Sequence, residues 1–182
     1  MIDDDRVRFD LAQREAKQCR LRSMTIDDFA LARAIHVLAL IHWIGGMAAV
    51  TTIVLPRARR LPDAKDAVAA FETFERRFAQ QVRVSILLVG LSGVYMLIKL
   101  DAWDRFLYAS FWWIDLMVAV WVLFALMVYV LEPLVIHRLF HDFALRQQHR
   151  AFALATRLHV TALFVSALTI VAGVLGAHGG LR

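Results

Sequence analysis

From Ile35 to Leu55 the chain carries no Asp, Glu, Lys or Arg. About 20 apolar residues suffice to carry a helix through about 30 Å of hydrocarbon. Three further apolar runs follow, at 84–98 between Arg83 and Lys99, at 106–136 with Asp115 and Glu132 near its ends, and at 158–177. No water is available inside a bilayer to satisfy backbone groups, so spanning segments close their hydrogen bonds within a helix or a closed barrel. Runs of this length predict helices. The expected fold is therefore all-α: a polytopic membrane protein with four transmembrane helices in an antiparallel bundle. A polar tail, 1–28, precedes a transmembrane domain, 29–180, and an even number of spans puts both termini on one side.

Composition supports this reading, with 60% hydrophobic residues and a mean hydropathy of +0.58. Charge is concentrated in the tail and the connections. The net charge of +5 comes without a basic run interleaved with aromatics, which argues against a nucleic-acid partner. The single cysteine, Cys19, forms no internal disulfide and belongs to no thiolate cluster for zinc or iron–sulfur ligation. Asp3, Asp4 and Asp5 open a charged stretch without an apolar core, so no cleavable signal is expected. That stretch reads as a surface helix over 5–22 or as a solvated tail. Thr25 and Asp28 have the spacing of a capping box for the first span.

Basic residues set the expected orientation. Arg57, Arg59, Arg60, Lys65, Arg76 and Arg77 lie between spans one and two, and Arg138, Arg146, Arg150 and Arg157 between three and four. The positive-inside rule puts these two connections in the cytoplasm and both termini outside. Val68, Phe71, Phe74, Phe78 and Val82 recur at helical spacing and run into span two, while Leu139, Phe140, Phe143 and Phe152 suggest a matching extension before span four. These extensions are expected to present a partner surface, or else to pack together or lie on the headgroups. Trp103, Phe106, Tyr108, Phe111, Trp112 and Trp113 form an aromatic belt at the opposite interface.

A titratable imidazole inside a bilayer is costly and marks a functional candidate. His36 and His42 fall in span one, His159 and His178 at the two ends of span four, and His137, His141 and His149 in or beside the last connection. His36 and His178 share one boundary, His42 lies about 9 Å deeper, and His159 is near the other boundary. Axial haem ligands need similar depths, so His36 with His159 is excluded, while His36 with His178 or His42 with a residue of span three or four is retained. Six residues turn His36 and His42 about 240° apart, so the two are expected to face different directions. Cofactor candidates are His36, His42, His159 and His178; for a transition metal, His36 and His42. Gly45, Gly46, Gly90, Gly93, Gly173 and Gly176 offer close packing or room for a flat macrocycle. Asp115 is expected to pair with Arg33 or Lys99, to orient a histidine, or to cap its helix.

The string IHVLALIHWIGGM from Ile35, with its VLPRARR exit, resembles the first span of the CopD-like and HemJ-like membrane families. FERRFAQQVRVSILLVGLSGVYML, from Phe74, is similar to their second span. The resemblance covers about half of the chain. It implies a bacterial-type inner membrane and, on the HemJ-like side, a haem-b protein with its haem-linked histidine at His36. HemJ-like proteins are protoporphyrinogen oxidases with a lysine early in span three; here WWIDLMVAVW places Asp115, which argues against that activity. The CopD-like side implies copper handling, for which histidine and Met47, Met96, Met117 and Met127 are suitable donors. Two readings stand: a haem-b redox protein working with a membrane redox partner, and a copper-handling transporter component or non-catalytic subunit of a larger membrane complex.

Overall fold

A computed structural model describes the continuous stretch 27–180, with the side chains of 134–138 excepted. Cys19, Thr25 and the tail helix expected over 5–22 lie outside the described residues. Helix α1 (Asp28–Ala58) crosses first. It is capped by Asp27, whose carboxylate accepts the Phe29 N–H at 3.2 Å. Over Val50–Val54 the helix widens into a π turn, where the buried Thr51 hydroxyl donates to Met47 O at 2.8 Å. Helix α2 (Ala64–Lys99) is one unbroken element of 36 residues, capped by Asp63. At about 1.5 Å per residue it is about 54 Å long, so its charged first half must project beyond the bilayer. Helix α3 (Trp112–Leu126) continues as a π-helix, Met127–Ile136. Pro133, which has no N–H to donate, lies within that π segment. Helices α4 (His137–Arg146) and α5 (Gln148–Ala177) complete the chain.

Four helices are long and apolar enough to cross a membrane, and no strand occurs among the described residues. The molecule is an all-α, multi-pass membrane protein. Helix α1 packs on α2, α2 on α3, α3 on α5 and α5 on α1, closing an antiparallel ring. The end bearing Asp28 and His178 is called the terminal end below, and the opposite one the connection end. Leu38, Ile41, Leu87, Leu91, Leu123 and Phe164 are all more than half exposed, a surface suited to lipid chains rather than water.

Three packed layers fill the ring. Trp113, Ile114 and Ala172 form the terminal layer. Trp43, Met47, Val82, Ile86, Val120 and Phe124 fill the middle, with Trp43 edge-on to Phe124 at 4.7 Å. At the connection end the two extensions pack together: Phe71, Phe140 and Phe152 have ring centroids 5.2–5.7 Å apart. Phe152 and Leu55 are fully buried there. The rings of Phe78 and Trp121 lie against Gly46 and Gly90, where a methyl group would overlap them. The space at those glycines is thus occupied by the protein's own side chains, and the interior offers no room there for a macrocycle. Gly45 differs, with nothing within 4 Å of a side chain placed on it.

Candidate functional site at the seam of α1 and α2

Both histidines of span one bond to the same neighbouring helix. His36 Nδ1 lies 3.0 Å from Ser92 Oγ, and His42 Nδ1 lies 2.8 Å from Ser85 Oγ. The six-residue step along α1 is met by a seven-residue step along α2, in the antiparallel sense. Both rings thus reach the same neighbouring helix, although six residues turn them towards different sides of α1. They differ in environment as well: His36 is half-buried, its ring beside Gly93, whereas His42 is exposed on the lipid side of α1.

The serines determine the tautomers. Ser85 Oγ donates to Gln81 O at 3.1 Å, and Ser92 Oγ to Leu88 O at 2.5 Å. A hydroxyl has one proton, and a carbonyl can only accept. Both contacts at each serine are satisfied together only when the imidazole Nδ1–H donates to the hydroxyl oxygen. That assignment, made from the hydrogen-bond network, leaves Nε2 with its lone pair when the ring is neutral. His159 Nδ1 contacts Ala155 O at 2.9 Å and His178 Nδ1 contacts Val174 O at 2.8 Å, so these too are Nδ1–H tautomers with Nε2 free.

Each of these rings thus donates its Nδ1 proton to an oxygen, and in its neutral form would leave Nε2 as a donor atom. Histidines that bind metals are oriented in this way by a hydrogen bond from the other ring nitrogen. Among the described residues, however, no three His, Cys, Asp or Glu side chains converge as a metal-binding group. His36 and His42 are brought to one seam without a third such donor.

The connection end holds a different set of polar groups, which the sequence patterns did not single out as a site. His141 Nδ1 is 2.6 Å from Glu72 Oε1, and Arg83 pairs with Glu132 at 3.1 Å. Tyr129 donates to Arg83 O at 2.6 Å. Glu75 lies beyond the apolar part of α2. Burial, reinforced by the charges of Glu132 and Glu72, pushes its carboxyl up to about 7. His149 is exposed, and the side chain of His137 lies outside the described residues. Asp115 is exposed in the first turn of α3 and pairs with neither Arg33 nor Lys99. Lys99 approaches Asp28 at 3.6 Å instead, and Arg33 lies over the Phe29 ring. Asp115 remains favourably placed against the helix dipole.

The serines were the missing half of the site. Ser85 and Ser92 are small hydroxyl residues seven apart in an apolar span, a pattern that could have been matched to the two histidines. No family model matches this chain, and no curated protein or solved structure does so either.

Proposed function

We propose that this protein is an integral membrane haem-b-binding redox protein in which the histidines of α1 would hold the haem through their imidazoles. The observation that carries the reading is the pairing of His36 with Ser92 and His42 with Ser85, which fixes Nδ1–H and presents Nε2 as a donor. A haem b held there would supply a one-electron iron couple in a low-dielectric setting. The chain's own contribution is to hold the imidazoles neutral, orient them through the serines and keep water away. The resemblance of span one to CopD-like and HemJ-like proteins points to the same segment. The packed interior, with Phe78 against Gly46, favours a haem at the helix surface over one inside the bundle. Asp115, where the HemJ-like pattern has lysine, makes an electron carrier the better reading than a protoporphyrinogen oxidase.

The test is an absorption spectrum of protein purified in detergent from cells supplied with haem. A reducible Soret and α band is expected in the wild type and in His149→Ala, and its loss in the double variant His36→Ala/His42→Ala. A spectrum without haem bands in the wild type, or bands unchanged in both single variants and in the double variant, overturns the proposal.

A further inference from the structure

Near the terminal end, the seam of α1 and α2 opens towards the lipid side. A groove of about 380 Å³ lies there, walled by Leu31, Ile35, Leu88 and Leu91 and headed by Asp28 and Tyr95. The four apolar walls are exposed. The buried Ser92 hydroxyl, which also lines the groove, is already engaged by His36 and by Leu88 O. From Asp28 to Ile35 and, antiparallel, from Tyr95 to Leu88, each wall steps about 10 Å into the bilayer. The groove is therefore polar at the boundary and apolar below it.

Its head carries one charge of each sign, contributed by two helices. Lys99 Nζ lies 3.6 Å from Asp28 Oδ2 and 5.5 Å from the centre of the Tyr95 ring. At that separation the ammonium and the carboxylate attract each other without a hydrogen bond, and both side chains are exposed. The carboxylate keeps acceptor sites and the ammonium keeps donors. Asp27 differs, because its carboxylate caps α1.

An occupant must combine an apolar body with a head that offers an anion to Lys99 and a cation to Asp28. A purely anionic lipid head satisfies Lys99 and sets a like charge against Asp28. A quaternary ammonium brings the cation but has no N–H to donate, and the Tyr95 ring that could receive it is met by Lys99. A phosphate joined to a primary ammonium meets both side chains.

We infer that this groove binds one glycerophospholipid with an ethanolamine head. An acyl chain lies along Leu31, Ile35, Leu88 and Leu91, the phosphate faces Lys99, and the primary ammonium donates to Asp28. The site is independent of the haem reading, since it uses neither His36 Nε2 nor His42 Nε2.

Native mass spectrometry of the full-length protein in detergent tests the inference. The protein is given an equimolar mixture of phosphatidylethanolamine, phosphatidylcholine and phosphatidylglycerol with identical acyl chains. The wild type should retain one ethanolamine lipid in preference to the other two. Asp28→Asn, which weakens a charge-assisted hydrogen bond, should lower that affinity roughly tenfold and erase the preference over the choline lipid. Lys99→Gln should weaken the ethanolamine and choline lipids alike. Leu91→Trp, which fills the groove and leaves both charges in place, should reduce binding of all three. Thermal melts of the two charge variants should match the wild type, because both side chains are exposed. Equal retention of the three lipids by the wild type, a preference for the glycerol lipid, or an ethanolamine preference that survives Asp28→Asn overturns the inference.

Discussion

At the connection end, His141 meets the Glu72 carboxylate at 2.6 Å, and α2 also carries the half-buried Glu75 and, further along, Arg83 paired with Glu132. In the spans, His36 and His42 meet serine hydroxyls, and His159 meets a backbone carbonyl. The contrast is instructive because the side chain is the same. Beside Glu72, at the edge of the bilayer, the ring has a carboxylate oxygen to accept its Nδ1–H and water close by. Within hydrocarbon a charged ring is too costly, so the neutral ring is retained and its one proton goes to a neutral oxygen. The connection end thus uses histidine to bind the extensions together, and the α1–α2 seam uses it to present a free nitrogen.

If the two regions divide stability from ligand binding in this way, the largest stability effect should come from the connection end. Phe152 is fully buried against Phe71 and Phe140, and Phe152→Ala should cost about 3–5 kcal/mol. His42→Ala, which removes one hydrogen bond, should cost about 1 kcal/mol. Denaturant titration in a fixed detergent would compare the two, and equal losses would break the division.

The glycines sharpen the same contrast within α1. Gly46→Ala drives a methyl group into the Phe78 ring and should destabilise by about 1–3 kcal/mol. Gly45→Ala, facing open space, should leave thermal unfolding within about 0.5 kcal/mol of the wild type. A reversal of that order in a thermal melt would show that the interior is not packed as described.

A pH dependence belongs to the connection end. The Glu75 carboxyl is raised from 4.5 to about 7 in the fold. Between these values the folded chain binds more protons at this site than the unfolded chain, so stability falls as pH rises through the window. Glu75→Gln should flatten that slope and stabilise the protein at pH 8 by about 1 kcal/mol. Melting the two proteins from pH 5 to 8 would check this; parallel profiles would remove Glu75 as the cause.

The four spans, the two extensions and the aromatic turn were legible because hydrophobic runs and helical spacing act locally. Of the six aromatics named at the α2–α3 turn, Trp103, Tyr108 and Trp112 are exposed, whereas Trp113 is buried in the terminal layer with Phe106 and Phe111 packed against it. The pairings were less legible. Periodicity placed His36 and His42 about 240° apart but could not say that one helix would meet both, because that depends on how α1 and α2 cross. It left Gly46 open between close packing and room for a macrocycle, and the arrival of Phe78, a tertiary event, decides for packing. It offered Asp115 a pairing with Arg33 or Lys99 as one of three roles, whereas Lys99 reaches Asp28 from the end of the neighbouring helix.

The smallest energetic effect carries the sharpest information. Ser85→Ala should cost about 1 kcal/mol of stability yet release His42 from its tautomer. The direct measurement is the ¹⁵N NMR spectrum of haem-free protein labelled at histidine, recorded at neutral pH with Ser85→Ala used for assignment. The account predicts a protonated, pyrrole-type Nδ1 and an unprotonated, pyridine-type Nε2 for His42, with this state lost in Ser85→Ala. A pyridine-type Nδ1 in the wild type would mean that the serine donates to the ring and Nε2 carries the proton, contradicting the claim that this nitrogen is free to bind.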